Sequence, residues 1–427
     1  MSSKGTLTSD ERATNLFKDS FKFQEWINWL LGVGIFEFPS NKPRILLSIT
    51  YKILLYSFIS YGIITSFEVM LKTEWRVFEV VALFMAIGVN YVVAFFTMTF
   101  STFKRSKALI LWRRVIETDA TLDKLGAKRD YKKDSHDAKY VFILWLIIIS
   151  SMFIMDTVNF LRYYGIWQGF LAATCYHLPV FTNSVADISF GIALLTIGRR
   201  FEKLNNLMLQ RFKKINTLQL FTIKTNRFDS KSPVVVTISE PTKNSLKHLV
   251  QTSMHIHLEL CKITRRVNDA FCMLIILELI ISFNQIIASA YTVYFYLRGS
   301  LHETSNNEIE DNSEDLIVMV VWGLVFAFRV VSINHLCGWI AKQAQKTNTI
   351  IREIDDIYNT GDVKEDLHQF SLQMVLKPLY LTATGFFNID DNCTRGFFGS
   401  VATYVVIFIQ MSSTTKALKV LGDEKPD

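Results

Sequence analysis

The sequence holds little of what builds a secreted or soluble domain. Five cysteines in 427 residues exclude a disulfide scaffold. Seven prolines and 18 glycines exclude a collagen-like or low-complexity chain. Charged residues make up 20% and aromatics 13%, too little charge and too many rings for a disordered chain. Catalytic signatures are also missing. Gly32-Val33-Gly34 has neither the third glycine nor the preceding strand of a dinucleotide turn, and there is no Walker loop or nucleophile elbow. His255 and His257 are two apart, do not share a helix face and do not make a metal site. The chain is therefore expected not to be an enzyme, with no cofactor, no metal and no nucleic-acid partner.

What the chain does have is apolar sequence in long blocks, with 50% of its residues hydrophobic. A helix crosses a bilayer with about 20 mostly apolar residues. Seven stretches qualify: Ile45–Leu71, Val77–Phe100, Tyr140–Leu161, Phe170–Ile197, Ala270–Leu297, Leu316–Ala341 and Gly396–Thr415. A buried helix of a soluble protein would account for one such block, not for seven separated by charged loops. The first 20 residues carry Lys4, Asp10, Glu11, Arg12, Lys18 and Asp19 and no apolar core for signal cleavage. Leu16, Phe17, Phe21, Phe23, Trp26, Ile27, Leu30 and Leu31 lie mainly along one side of a helix. That side fits either a membrane surface or an ordinary packed helix.

Lysine and arginine set the expected orientation. Of 46, 37 fall on one side: ahead of the first span, and in the loops joining spans two to three, four to five and six to seven. Seven fall on the other side, while Lys52 and Arg329 lie within spans. The positive-inside rule then places the N-terminus in the cytoplasm and, with seven spans, the C-terminus outside. A G-protein-coupled receptor has the reverse orientation. It would also carry a cytoplasmic arginine motif after span three and an Asn-Pro pair in span seven, and neither is present. No internal repeat supports an inverted-repeat transporter.

These spans and charges imply an organisation. Residues 1–43 are a cytoplasmic segment with an amphipathic helix, and 44–341 a six-helix transmembrane bundle. Within the bundle, the cytoplasmic loop 198–269 has a flexible polar middle at Lys224–Asn244, and its ends continue spans four and five as helices. Gln343–Tyr358 continues span six, so the overhanging helices could pack into a collar. Residues 342–395 form a cytoplasmic segment, 396–415 the seventh span and 416–427 an extracellular tail. The outer loop 298–315 holds Glu303, Glu308, Glu310, Asp311, Glu314 and Asp315, either a cation-enriching mouth or a plain solvated loop. Arg329, in mid-span, needs a buried partner, with Asp187 and Glu278 as candidates. Structural glue is the first reading of that set and a gating element the second.

The seventh span differs from the other six. Ser400, Thr403, Ile407, Gln410 and Thr414 trace one heptad seam along it. A polar seam in a membrane helix faces protein or water, as interhelical glue or as the lining of a conduction path. One such helix cannot enclose a pore, but a ring of copies can.

The run Thr403-Tyr404-Val405-Val406-Ile407-Phe408-Ile409-Gln410 resembles the signature of insect gustatory receptors: Thr-Tyr, five hydrophobics, Gln, Phe. Gly385-Phe386-Phe387-Asn388-Ile389-Asp390 resembles the stretch leading into that signature. The likeness in detail covers about 40 C-terminal residues, and span number, orientation and length fit the rest. One departure is Met411 where the family usually has Phe, an apolar replacement.

The resemblance implies an all-α integral membrane protein, one subunit of a tetrameric, ligand-gated, non-selective cation channel in the plasma membrane of chemosensory neurons. Its partners would be a small-molecule tastant, membrane lipids, identical subunits and, as an alternative, sister receptors. Residues 342–395 would be the cytoplasmic anchor, with a helix near Leu367–Thr384. Gln410 would line the pore near its gate, with Ile407 and Thr414 a turn to either side. Thr403 and Tyr404 would pack the span. The tastant would bind in the outer half of the bundle, where Asp156, Asn159, Tyr163, His177, Asn183, Asn284, Gln285, Tyr291, Tyr294 and Trp322 lie. Each of these also has a plain reading as interhelical glue or interface belt. Sugar-receptor members tend to carry an acidic residue after Thr-Tyr. Val405 stands there instead, which favours a bitter-type or divergent member and leaves a fructose-type receptor open. The competing readings are a G-protein-coupled chemoreceptor and an odorant-receptor-lineage subunit.

Overall fold

The computed structural model describes residues 21–36, 43–70, 77–128, 131–226, 240–300, 309–357 and 362–423. A short helix α1 covers 21–30. It is followed by α2 (Ile45–Met70), α3 (Val77–Lys124), α4 (Tyr131–Tyr164), α5 (Ile166–Asn226), α6 (Glu240–Ser300), α7 (Ile309–Ile357) and α8 (Asp362–Leu376). A two-stranded antiparallel ribbon, β1 (Thr382–Ala383) and β2 (Phe387–Asn388), then leads into α9 (Asp391–Asp423). The seven expected spans fall in order on α2 to α7 and α9. Six of these helices are long and apolar enough to cross a membrane, and α3 contributes the apolar stretch Ile87–Phe103. The first 20 residues, 227–239, 301–308 and the last four lie outside the described residues, and with them much of the expected linker and acidic loop.

Helix length shapes the molecule. α5 and α6 have 61 residues each. At 1.5 Å per residue that is about 90 Å, roughly three times the hydrocarbon core of a bilayer. α5 and α6 therefore run far past their apolar blocks, each on its basic end. Their overhangs bury a continuous core. Ile197, Phe201, Leu204 and Met208 of α5 repeat at spacings of four, three and four. They meet Val250 and Leu260 of α6, Ile340 and Ile351 of α7, and Leu367 and Phe370 of α8. That spacing is one face of a 3.6-residue helix, so the overhangs form a bundle around an apolar seam. A smaller cluster, including Val93, Met152, Val180, Ile281, Trp322 and Phe326, fills the apolar end.

A buried arginine ties three helices where the two ends join. Arg200 of α5 is 2% exposed. Its Nε and Nη2 donate to Asp119 of α3 at 3.0 and 2.8 Å, and Nη1 donates to Asp134 of α4 at 3.1 Å.

Two expectations need correction, and α1 is resolved. The helix placed at Leu367–Thr384 is α8 at Asp362–Leu376, because Pro378 has no N–H to carry a helix onward. The chain passes instead into the ribbon, turned by Thr384 (φ 49°) and Gly385 (φ 83°), the second a conformation that glycine takes at no steric cost. The expected linker at Lys224–Asn244 is helical at both ends, since α5 continues to Asn226 and α6 begins at Glu240, and residues 227–239 between them lie outside the described residues. α1 packs as well as presenting an apolar face. Phe21 stacks on Trp112 at 5.6 Å and Leu31 is buried, while Trp26 and Leu30 point outward.

Candidate ligand pocket and conduction helix

The polar residues foreseen for a pocket separate into groups. Asp156 of α4, His177 of α5 and Trp322 of α7 converge. Trp322 Nε1 donates to Asp156 Oδ2 at 3.0 Å, and His177 Nε2 lies 3.0 Å from the same oxygen. His177 Nδ1 lies 2.9 Å from the Ala173 carbonyl. Rings close around the polar centre: Phe153, Tyr176 and Trp322 lie 5.2, 5.1 and 5.7 Å from His177. All three polar residues are buried, so this is a polar centre on one carboxylate, enclosed by aromatic rings. Tyr176 and Phe153 were not foreseen, since nothing in an apolar run marks one aromatic from its neighbours.

The remaining candidates lie elsewhere. Asn183 donates to the Asn90 carbonyl at 3.0 Å and accepts from Thr97 at 3.3 Å, joining α5 to α3. Asn284 donates to Ile280 O of its own helix at 3.0 Å. Gln285 is buried on α6, and its Oε1 has no hydrogen-bond partner among the described residues. Tyr291 turns toward α9, 6.5 Å from Phe408. Asn159 and Tyr294 are half-buried on α4 and α6. The side chains of Tyr163 and Thr414 lie outside the described residues.

α9 is built as a rod held at its base and along one side. Asp390 Oδ1 accepts from the Asn392 and Cys393 N–H groups at 2.9 and 3.0 Å, satisfying free donors of the first turn. Asp391 accepts from Lys342 Nζ at 2.8 Å, with His335 Nδ1 3.3 Å away. Asn334 donates to Thr394 at 2.9 Å. The base is thus tied to α7. Higher up, Phe397 and Tyr404 set their edges against Phe283 of α6 at 5.7 and 5.5 Å.

Phe397, Val401, Tyr404 and Phe408 therefore form the packed face of α9. The seam of Ser400, Thr403, Ile407 and Gln410 lies roughly 100° around the helix from it. All four seam residues are exposed. Ser400 and Thr403 donate to the Gly396 and Gly399 carbonyls of α9 itself, each at 3.0 Å.

The third polar group is buried at mid-span. Arg329 of α7 pairs with both Asp187 of α5 and Glu278 of α6, so the two candidate partners are used together.

Comparison with known proteins agrees with this architecture. The 7tm chemosensory receptor family matches residues 23–415. In Drosophila melanogaster, the chain is 23% identical to the protein named gustatory receptor 28b over 308 residues, covering 70% of this chain and 62% of that one. It is also 21% identical to the gustatory receptor for sugar taste 43a over 252 residues, covering 54% and 55%. The matched stretch thus spans under two thirds of either relative's length. Among solved structures, the insect olfactory receptor OR5 from Machilis hrabei superposes with a TM-score of 0.64 at 13% identity, covering 93% of this chain and 99% of that one. The same receptor in complex with eugenol gives 0.65. The chain is a multi-pass membrane protein that belongs to the 7tm chemosensory receptor family, not to an enzyme family.

Proposed function

We propose that the chain is one subunit of a ligand-gated, non-selective cation channel, in which four copies place α9 around a shared pore and a small-molecule tastant opens it. The carrying observation is the state of α9. Only 6% of the apolar window within its span Asp391–Met411 is buried by the chain, yet the span bears a polar seam that lipid would solvate poorly. A ring of copies would turn that seam toward water and cover the exposed flank. Ile407 and Gln410 are the gate-lining residues of this reading, with Thr403 and Thr414 on the same seam. The resemblance stated for the C-terminal motif points the same way. The expected cytoplasmic N-terminus and a plasma-membrane location in chemosensory neurons belong to this reading.

The tastant would sit in the bundle near Asp156, His177 and Trp322. Rings with one hydrogen-bonding centre suit a small aromatic or mixed-polarity molecule better than a fully hydroxylated one. The solved olfactory receptor bound to eugenol is a neighbour of this kind. A sugar tastant is the second reading, favoured by the likeness to the sugar-taste receptor.

The test has two parts. Native mass of the detergent-purified protein should give four subunits, and a stable monomer would remove the basis for a shared pore. Recordings in a nucleotide-free membrane should show steps of cation current with eugenol, fructose or a bitter alkaloid. Gln410→Ala should change conductance or gating at unchanged surface level. Current that appears only with GTP would return the G-protein reading.

A further inference from the structure

Three charged side chains meet inside the membrane part of the bundle, each from a different helix. The Arg329, Asp187 and Glu278 side chains are 12%, 10% and 4% exposed. Arg329 contacts both carboxyl groups, Asp187 and Glu278. Two carboxyl groups therefore share one guanidinium, whose carbon also lies 5.9 Å from the Phe326 ring. Charges at this depth are costly, and they persist where they do something.

The two contacts are not equivalent. Arg329 Nε donates a hydrogen bond to Asp187. The contact of Nη2 with Glu278 is close but lacks the alignment of a hydrogen bond, and both atoms stand without such a partner among the described residues. Asp187 holds Arg329 by charge and direction, Glu278 by charge alone. A charge-assisted hydrogen bond is roughly twice as strong as a neutral one and falls off with misalignment, so the Glu278 contact is the weaker link.

Its place in the fold gives that link a consequence. α9 is bound to α7 at its base through Asp391 and Thr394, and to α6 higher up through Phe283, five residues beyond Glu278. Relative movement of α6 and α7 would therefore pull on α9 at two heights. Arg329–Glu278 is an ion pair joining those two helices. The same α7 presents Trp322, two turns before Arg329, to the Asp156–His177 centre.

We propose that Arg329–Glu278 is the contact that parts when the channel opens, with Asp187 keeping Arg329 docked on α5 in both states. Glu278 is then a positioning residue that holds α6, and with it α9, in the closed arrangement. This rests on α9 being the conduction helix.

The experiment uses the purified full chain in liposomes and thallium influx without added ligand. Glu278→Gln keeps shape and removes the charge. It should raise basal influx by about tenfold, the scale of a loss of one modest ion pair, with a smaller drop in melting midpoint than Asp187→Asn gives. Glu278→Asp should give an intermediate rise. Asp187→Asn should lower the melting midpoint further, since Arg329 loses its hydrogen-bonded carboxylate.

Wild-type influx in a folded Glu278→Gln protein overturns the proposal. So does an equal rise and equal loss of stability in Glu278→Gln and Asp187→Asn, which would mean general loosening. The double variant with Gln410→Arg separates the two readings. Abolished leak supports both, whereas a leak that survives places the flux outside α9 and overturns the conduction reading together with this one.

Discussion

α5 and α9 both cross the membrane in one stretch of helix, yet they live in different surroundings. The apolar window of α5 is 67% buried inside the chain and that of α9 is 6% buried. α5 is the axis of the subunit. It touches the helices before and after it and carries Arg200, Asn183, His177 and Asp187, every one of them engaged. α9 lies outside that packing, with fixed points on α6 and α7 among the described residues. The difference shows that the chain packs around α5 and leaves most of α9 uncovered by its own helices.

The comparison predicts a ranking of substitutions. The largest effect is expected at Arg200. Arg200→Met strands Asp119 as a buried carboxylate and leaves Asp134 with Arg199, 3.3 Å away. It should cost about 3–5 kcal/mol, the usual cost of removing one partner from a buried pair. Thermal unfolding of the purified protein should show it, and a midpoint within 1–2 °C of wild type would mean that α5 is not the axis, because about 1 kcal/mol already moves the midpoint of a large domain by a few degrees.

Acid should act next, again on the packed side. His257 lies 13 residues before span five, about 20 Å along α6 and outside the apolar block. It is 4% exposed, between Phe201 and Phe370, and 3.3 Å from the Ala344 carbonyl. Burial pushes its imidazole down to about 4, against a weaker upward pull from that carbonyl. The folded protein therefore keeps it neutral while the unfolded chain takes up a proton. Stability is complete above the unfolded value near 6.5 and falls as pH drops toward 4, by on the order of 3 kcal/mol. Melting curves from pH 7 to pH 4 should show a slope that His257→Gln removes. An unchanged slope in the variant would assign the acid loss to other groups.

Smaller effects are expected on α9. Tyr404→Ala removes one edge-to-face contact from a side chain that is 48% exposed, so about 1 kcal/mol is at stake. Val406, 50% exposed, should tolerate Ala within about 0.5 kcal/mol. If native mass measurements showed Val406→Ala dissociating the proposed assembly without changing the chain's melting, the contrast between the two helices would sharpen. A large loss of subunit stability would break it.

Much of the fold was legible in the residues. Seven apolar blocks became seven helices because a hydrocarbon solvent demands helices, whose backbone groups satisfy one another. The polar seam of α9 could be read from spacing alone, and so could the need of Arg329 for a buried partner. Less legible was the pocket. Asp156, His177 and Trp322 converge, while Asn284 and Tyr291, equally polar and similarly placed along their span, go elsewhere. Helical rotation and neighbour choice decide that, and neither is written into a uniformly apolar run. Phe283 shows the same limit. It is the seat of α9, yet one phenylalanine among 34 carries no mark.

The sequence by itself thus determined the solvent, the number of helices, their overhang past the apolar blocks and the seam of α9. These features arise from periodicity and from the cost of exposing backbone or charge to lipid, which act locally along the chain. Only the tertiary structure decided that Arg329 takes Asp187 and Glu278 together, that Pro378 and Gly385 turn the expected long helix into a ribbon before α9, and that α5 rather than α9 is the axis. Those outcomes depend on which helix faces which, and that choice is made by packing between residues far apart in the chain.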